Sequence, residues 1–331
     1  MTFNLLILPI LTLSLSLLVT GGVRYYALHQ NLIDIPNERS SHTQPTPRGG
    51  GLGFIIAFLV ALLFTAIIPQ FNFPTDLFLP LILLPLAMIG FLDDRYNLPS
   101  SIRYLVQLGT ALIAVFHYGS FPQPWLNALG VSGVILAIVF TAIGFTALVN
   151  FYNFMDGLDG FITTITVLQL SFIALYLQQP LWCLLIAALL GFLYWNWPPA
   201  KIFMGDVGST VLGAVMAIAL IQSPNATLAW SSLAITLPIT ADTIYTLIVR
   251  LSRRENIFQA HRTHIFQRLQ QSGWSHSQVT LTYSALTIAI AVLIFIWGAI
   301  GSIISLVMAI LSIFVAELYL TRNKAINSLA S

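Results

Sequence analysis

The chain has 331 residues, 57% of them hydrophobic and 7% charged, with a mean hydropathy of +0.88 and a net charge of +2. An ordinary soluble domain carries about 25% charged residues, so a water-soluble globular fold is excluded. The single cysteine, Cys183, lies in an apolar run, and no intrachain disulfide is available.

A helix that crosses about 30 Å of hydrocarbon needs about 20 apolar residues, and its backbone groups must be satisfied within the segment. The expected fold class is therefore all-α, a polytopic membrane bundle of about 11 transmembrane helices. The spans fall at 3–23, 51–69, 77–92, 104–118, 133–152, 161–178, 181–197, 209–223, 229–249, 279–297 and 301–320. The first has no basic residue ahead of it and no small-residue cleavage signature behind it, so it reads as a retained helix. Arg24, Arg39, Arg48, Arg95, Arg103, Lys201, Arg250, Arg253, Arg254, Arg262, Arg268, Arg322 and Lys324 all fall in alternate gaps. The positive-inside bias makes those gaps cytoplasmic, the N-terminus external and the C-terminus internal. The last hinge, Gly298 to Gly301, decides the side of the tail. One integral-membrane domain, 1–331, is expected, with its working loops at about 24–50, 93–103, 153–160, 198–208 and 250–278.

The loop between the first two spans holds Glu38, Arg39, His42 and Arg48 among prolines and glycines, a shaped segment able to close over a polar substrate. Glu38 and Arg39 can equally pair with each other. Asp93 and Asp94 follow at the end of an apolar helix. Two adjacent carboxylates repel and are costly in lipid, so they either mark the helix end or face a hard cation such as Mg2+. In 150–160, Asn150, Asn153 and Asp156 recur every three residues, as along one helix face, and two Asp-Gly pairs then loosen the backbone. A plain turn is the competing explanation.

Lys201 to Thr210 is a glycine-containing loop entering a helix, a cradle suited to phosphate, and Asp206 beside it becomes sensible if a metal lies between. Asp206 or Ser209 could instead cap the helix. Asp242 lies eight residues before Arg250, about 12 Å deep, where an acid is functional or paired. In 251–277, a helix would align His261, His264 and Arg268 for an anionic ligand; a basic loop at anionic lipid headgroups is the alternative.

Together these motifs supply carboxylates for metal or proton handling and Arg and His for anionic charge, the inventory of phosphoryl transfer. The chain resembles the polyprenyl-phosphate N-acetylhexosamine-1-phosphate transferase superfamily, glycosyltransferase family 4. The resemblance rests on Asp93-Asp94, on Asn153 to Gly160, on Phe203 to Ser209 and on His261-Arg262-Thr263-His264. It implies transfer of a sugar 1-phosphate from a UDP-sugar to undecaprenyl phosphate with release of UMP, dependent on Mg2+ or Mn2+. It also implies Asp206 and Asp156 as metal ligands and Asp93, Asp94, Asp156 and Asp159 as catalytic residues. Asn153, Phe203, His261, Arg262, His264, Arg103, Arg48 and His42 are implied to bind substrate, with Phe203 stacking on uracil.

A run of histidines, and a lysine where this chain has Asn97, characterise the peptidoglycan branch; both are absent here. The stretches around Pro36 and Pro47 are more similar to bacterial O-antigen initiators, including those that use 6-deoxy sugars. The expected setting is the bacterial cytoplasmic membrane, with UDP-N-acetylhexosamine, undecaprenyl phosphate and membrane lipids as partners, no nucleic acid, and room for a homodimer. The rival class is a secondary transporter, which places ionisable groups at the bilayer midplane in repeated halves. Arg322 reads as a topological anchor, so Arg322→Ala is expected to leave the specific activity of the purified protein essentially unchanged. A severe loss would show that the tail reaches the site.

Overall fold

The computed structural model describes residues 2–36, 41–68, 73–256, 259 and 261–330. Twelve helices make up the fold among them: α1 (Thr2–His29), α2 (Gly51–Ile67), α3 (Leu79–Tyr96), α4 (Ser100–Tyr118), α5 (Gly130–Phe154), α6 (Phe161–Tyr176), α7 (Trp182–Asn196), α8 (Asp206–Ile221), α9 (Ala226–Leu233), α10 (Leu237–Ser252), α11 (Ile265–Gln271) and α12 (His276–Ala330). Among the described residues the strands are β1 (Ile33–Asp34) and β2 (Thr46–Pro47), paired antiparallel. Each of the eleven predicted spans lies largely within helix among the described residues. Glu38 and Arg39 lie outside the described residues.

Four stretches are long and apolar enough to cross a membrane: Leu6–His29, Pro124–Phe154, Ala226–Ser252 and His276–Lys324. Apolar but shorter are α2, α6, α7 and α8. Outward faces carry bare apolar side chains, with Phe116 95% exposed and Leu105, Val131 and Ile303 well exposed. Such coverage suits hydrocarbon and is a liability in water. The protein is an integral membrane protein.

The centre of the bundle is α8, where every residue from Val207 to Ile221 is buried. A helix apolar on all sides belongs in a core. Small residues let its neighbours close in: at Gly90 of α3, a Cβ would stand 2.6 Å from the carbonyl of Asp206. In lipid such close backbone approach is a main source of helix association.

One predicted single span, 229–249, is interrupted, and the hinge expected at Gly298 to Gly301 is present. Residues 226–252 form α9, a 3-10 turn at Ala234–Thr236 and α10, because Pro238 lacks the N–H that would continue the helical ladder. Gln169 of α6 donates to the freed carbonyl of Ile235 at 3.0 Å and accepts from the Tyr152 hydroxyl at 2.5 Å. The long α12 breaks at Gly298, whose φ of 53° and ψ of −122° are foreign to a helix. The chain doubles back there, so the returning half brings Glu317 to Arg268 and Tyr319 to Trp274.

The two ends of the bundle differ. One gathers Arg24 on the Lys201 carbonyl, Arg103 between Asp93 and Asp206, and Arg268 on Glu317. The other holds Asp76 paired with Tyr118 at 2.7 Å, and the Trp125 and Trp230 rings 5.1 Å apart. Gly90→Val is expected to lower the melting temperature in detergent, through roughly 1–3 kcal/mol of overpacking between α3 and α8. An unchanged melting curve would show that the two helices tolerate separation.

Candidate active site

The site is built around the first turn of α8. Gly205 arrives with φ 76° and ψ 170°, a left-handed conformation suited to glycine, and a Cβ there would collide with Asp94. The Asp94 carboxylate accepts from the N–H groups of Asp206 and Val207 at 3.1 and 3.3 Å. A side chain on α3 thus caps α8, satisfying donors that a buried helix start would otherwise leave unpaired.

Adjacent helical residues point about 100° apart, and Asp93 faces a different way. It accepts from the Leu98 N–H at 2.7 Å and from Arg103 at 2.6 Å, and the same Arg103 nitrogen lies 3.4 Å from Asp206. Asn153 donates to Ser209 at 3.0 Å, tying the end of α5 to α8. The expected common face of Asn150, Asn153 and Asp156 does not form. Each three-residue step falls about 60° short of a full turn, so Asn150 turns to Gln107 at 2.7 Å and only Asp156 reaches the cavity.

That cavity has a volume of about 320 Å3. Asp94, Asp156, Asp159 and Asp206 line it, facing Arg48, His42 and Phe203. Its walls are zipped by backbone bonds from Gly50 and Gly51 to the carbonyls of Phe203 and Met204, and from Phe203 to that of Pro47. Asn196 joins two further loops, accepting from Gly160 at 3.1 Å and donating to Ile202 at 3.1 Å. Asp159 accepts from the Ala200 N–H at 3.0 Å and so braces the 198–208 loop. His42 meets Phe203 edge-on at 4.8 Å.

Several expectations for the 250–278 loop are corrected. Helix α11 begins only at Ile265, so His261 and His264 precede it and do not align with Arg268, which is held by Glu317. Asp242 spends its oxygens on the N–H groups of Ile265 and Phe266 and on the Tyr283 hydroxyl at 2.7 Å. This is the paired outcome for a deep acid. His264 is 2% exposed beside it. His261, Arg262 and His264 do not line the cavity; Arg262 instead reaches Ser41 at 3.3 Å. Burial, with His264 and Arg250 nearby, lowers His261 to about 4, so it is neutral at pH 7.

Sequence reasoning missed Asp34, Asn196 and His276 as lining residues. His276 contacts Asp159 at 3.4 Å and the Ser41 carbonyl at 3.2 Å, closing the loop after α1 over the site. A lone His at a helix start carries no signal by which spacing could have found it.

The electrostatics are those of crowded acids. Burial, then the charges of Asp206, Asp94 and Asp159, raises Asp156 well above the usual carboxylate range. Burial raises Asp94 to about 6 against the two backbone donors that pull it down, and burial with the charge of Asp94 raises Asp206 to about 7. Asp206 remains 32% exposed, so solvent tempers its shift.

Among the described residues, no three of His, Cys, Asp or Glu form a ready-made ligand set for a metal. Mg2+ does not need one: it is usually held by one or two carboxylates together with water and substrate phosphates. Asp94 is committed to α8, whereas Asp156 and Asp206 face the cavity with raised proton affinity. That hard-oxygen pair fits Mg2+.

A second cavity of about 760 Å3 is almost entirely apolar. It runs along α5 from Phe140 to Phe151, bounded by α8, α9, α10 and the returning half of α12, with Trp125 and Trp230 at its far end. A carboxylate-and-arginine pocket thus stands at one end of a membrane bundle that also holds a long apolar trough.

Residues 77–224 match the model of glycosyl transferase family 4. The chain is 30% identical over 286 residues to the probable undecaprenyl-phosphate N-acetylglucosaminyl 1-phosphate transferase of Bacillus subtilis, covering 82% of this chain and 79% of that one. It is 29% identical to the undecaprenyl-phosphate alpha-N-acetylglucosaminyl 1-phosphate transferase of Thermotoga maritima, with 82% and 84% covered. It is also 30% identical to the phospho-N-acetylmuramoyl-pentapeptide-transferase of Deinococcus radiodurans, with 73% and 82% covered. The chain belongs to the polyprenyl-phosphate N-acetylhexosamine-1-phosphate transferase family and is a phosphotransferase of that kind.

An acid whose folded pKa lies above its unfolded value holds its proton more tightly when folded. Stability contributed by Asp94 and Asp206 is therefore lost as pH rises from about 4 through about 7. In chelator-treated buffer the melting temperature is expected to be lower at about pH 8 than at about pH 5, and Asp206→Asn is expected to flatten the difference. Equal values in the native protein would show that the acids are already compensated.

Proposed function

We propose that the protein transfers an N-acetylhexosamine 1-phosphate, or its 6-deoxy counterpart, from a UDP-sugar to undecaprenyl phosphate, giving undecaprenyl-diphospho-sugar and UMP. The observation that carries this reading is the adjacency of the two cavities: Phe151 ends the apolar one and lies two residues from Asn153, which is bonded to the first turn of α8. An isoprenoid tail suits the apolar cavity and a diphosphate the carboxylate-lined one. The names of the relatives, with a polyprenyl phosphate as acceptor, support the same assignment.

In the reaction an acceptor phosphate oxygen attacks the phosphorus that bears the sugar, and the bond from that phosphorus to the bridging oxygen breaks as UMP departs. A phosphate monoester has a second pKa near 6, so the nucleophile is already largely ionised at neutral pH. Asp93 is then a positioning residue: it holds Arg103 toward Asp206. Arg48 and His42 orient the diphosphate, and Phe203 offers a face to the uracil. Asp156 and Asp206 would hold Mg2+, with Mn2+ as a substitute, which supplies neutralisation of the charge that builds on the phosphate oxygens.

The same reading gives eleven crossings, an external N-terminus and a cytoplasmic charged end in the bacterial inner membrane. Initiation of an O-antigen-type glycan is the proposed role, and a homodimer is compatible with it. Purified protein with undecaprenyl phosphate, Mg2+ and a panel of UDP-sugars is expected to release labelled UMP from at least one donor. Silence across the panel would overturn the proposal. Asp206→Asn is expected to lower turnover by at least about 100-fold while the protein stays folded. Retained activity with an unchanged Mg2+ requirement would remove Asp206 from the metal shell.

A further inference from the structure

Gln267, the third residue of α11, is 7% exposed, lines the carboxylate cavity, and has no hydrogen-bond partner for its buried Oε1. Its Nε2 crosses the face of Gly157, where a Cβ would stand 3.1 Å away. The carboxamide therefore lies against the Asp156-Gly157 turn. The backbone beneath it is fixed: Asp242 holds the first two N–H groups of α11, and Phe266 stacks on Phe161 with centroids 4.9 Å apart.

A buried amide without a partner is unfavourable, and native proteins rarely keep one without a use. Exchanging the oxygen and nitrogen of the carboxamide does not help, since one atom or the other still faces Gly157 and the cavity. His42 on the same cavity also has its Nε2 buried and unpartnered. Phosphate recognition does not ask for the carboxamide, because Arg48 already supplies positive charge there. A carboxamide presents one acceptor beside one donor, and its complement is a group with an N–H next to a C=O.

We infer that Gln267 is a specificity residue that pairs with an amide-type group of the nucleotide sugar. The inference rests on the UDP-sugar reading above. Two parts of that donor carry the chemistry: the acetamido group of the sugar and the imide of uracil. A site built around such a bond rejects a ligand that lacks it far more strongly than an apolar wall does.

The test compares wild type with Gln267→Met, which keeps the shape and removes the amide, and Gln267→Glu, which keeps an acceptor and serves if the first variant misfolds. Two quantities are read: KM for the UDP-N-acetylhexosamine that wild type turns over, and inhibition by UMP. A rise in KM of about 10-fold or more with unchanged UMP inhibition assigns the acetamido group. A parallel loss of UMP inhibition assigns the imide. If both quantities stay within about twofold of wild type, or only kcat falls, the inference is overturned. A wild type that releases no UMP from any UDP-sugar overturns the donor reading and this inference together. An active wild type with indifferent variants overturns the inference alone.

Discussion

The charged end of the bundle depends on one carboxylate bonded to a helix terminus. Because α8 is buried along its length, its first N–H groups cannot rely on water, and the Asp94 side chain supplies both acceptors from a neighbouring helix. A cap of this kind contributes about 1 kcal/mol, and a charge at a helix N-terminus up to about 2 in a partly buried setting. Its larger effect is geometric. With Gly90 admitting α8 against α3, the cap fixes where Asp206 stands, and the position of Asp206 sets the floor of the cavity.

The walls are then added by short loops that bond to one another and to the ends of neighbouring helices. The chain around Pro47 to Gly51 runs beside Phe203 and Met204 in strand-like fashion, and Asn196 and Asp159 staple the remaining turns. Acids crowded in this way raise one another's proton affinity, a cost that a purely structural cluster would have no reason to keep. The clustering at one end also separates this protein from carriers, whose ionisable groups lie at mid-depth.

Much of this was legible in the sequence for physical reasons. Hydrocarbon demands long apolar helices, so the spans could be read directly, and carboxylates at span ends stand out against an apolar background. Spacing alone failed where contacts between distant segments decide. Asp93 and Asp94 look equivalent as neighbours, yet one serves a turn and the other a helix start. Asn150, on α5, turns to Gln107, whereas Asp156 lies past the end of that helix at Phe154. His261 and His264 carry the family motif, but Asp242, 19 and 22 residues earlier in the chain, holds the start of α11 and leaves them off the cavity wall. Gln267 and His276 matter only because folding brings them against Gly157 and Asp159.

The interruption between α9 and α10 has a mechanical corollary. Its buried carbonyl at Ile235 is held by Gln169, and the other end of that amide holds the hydroxyl of Tyr152, next in sequence to Asn153. The bend therefore cannot straighten without stranding an amide in an oily interior or dragging the end of α5 along with it. The wall of the trough at α10 is thus joined, through Gln169 and Tyr152, to the turn of α5 whose Asn153 bonds to the first turn of α8.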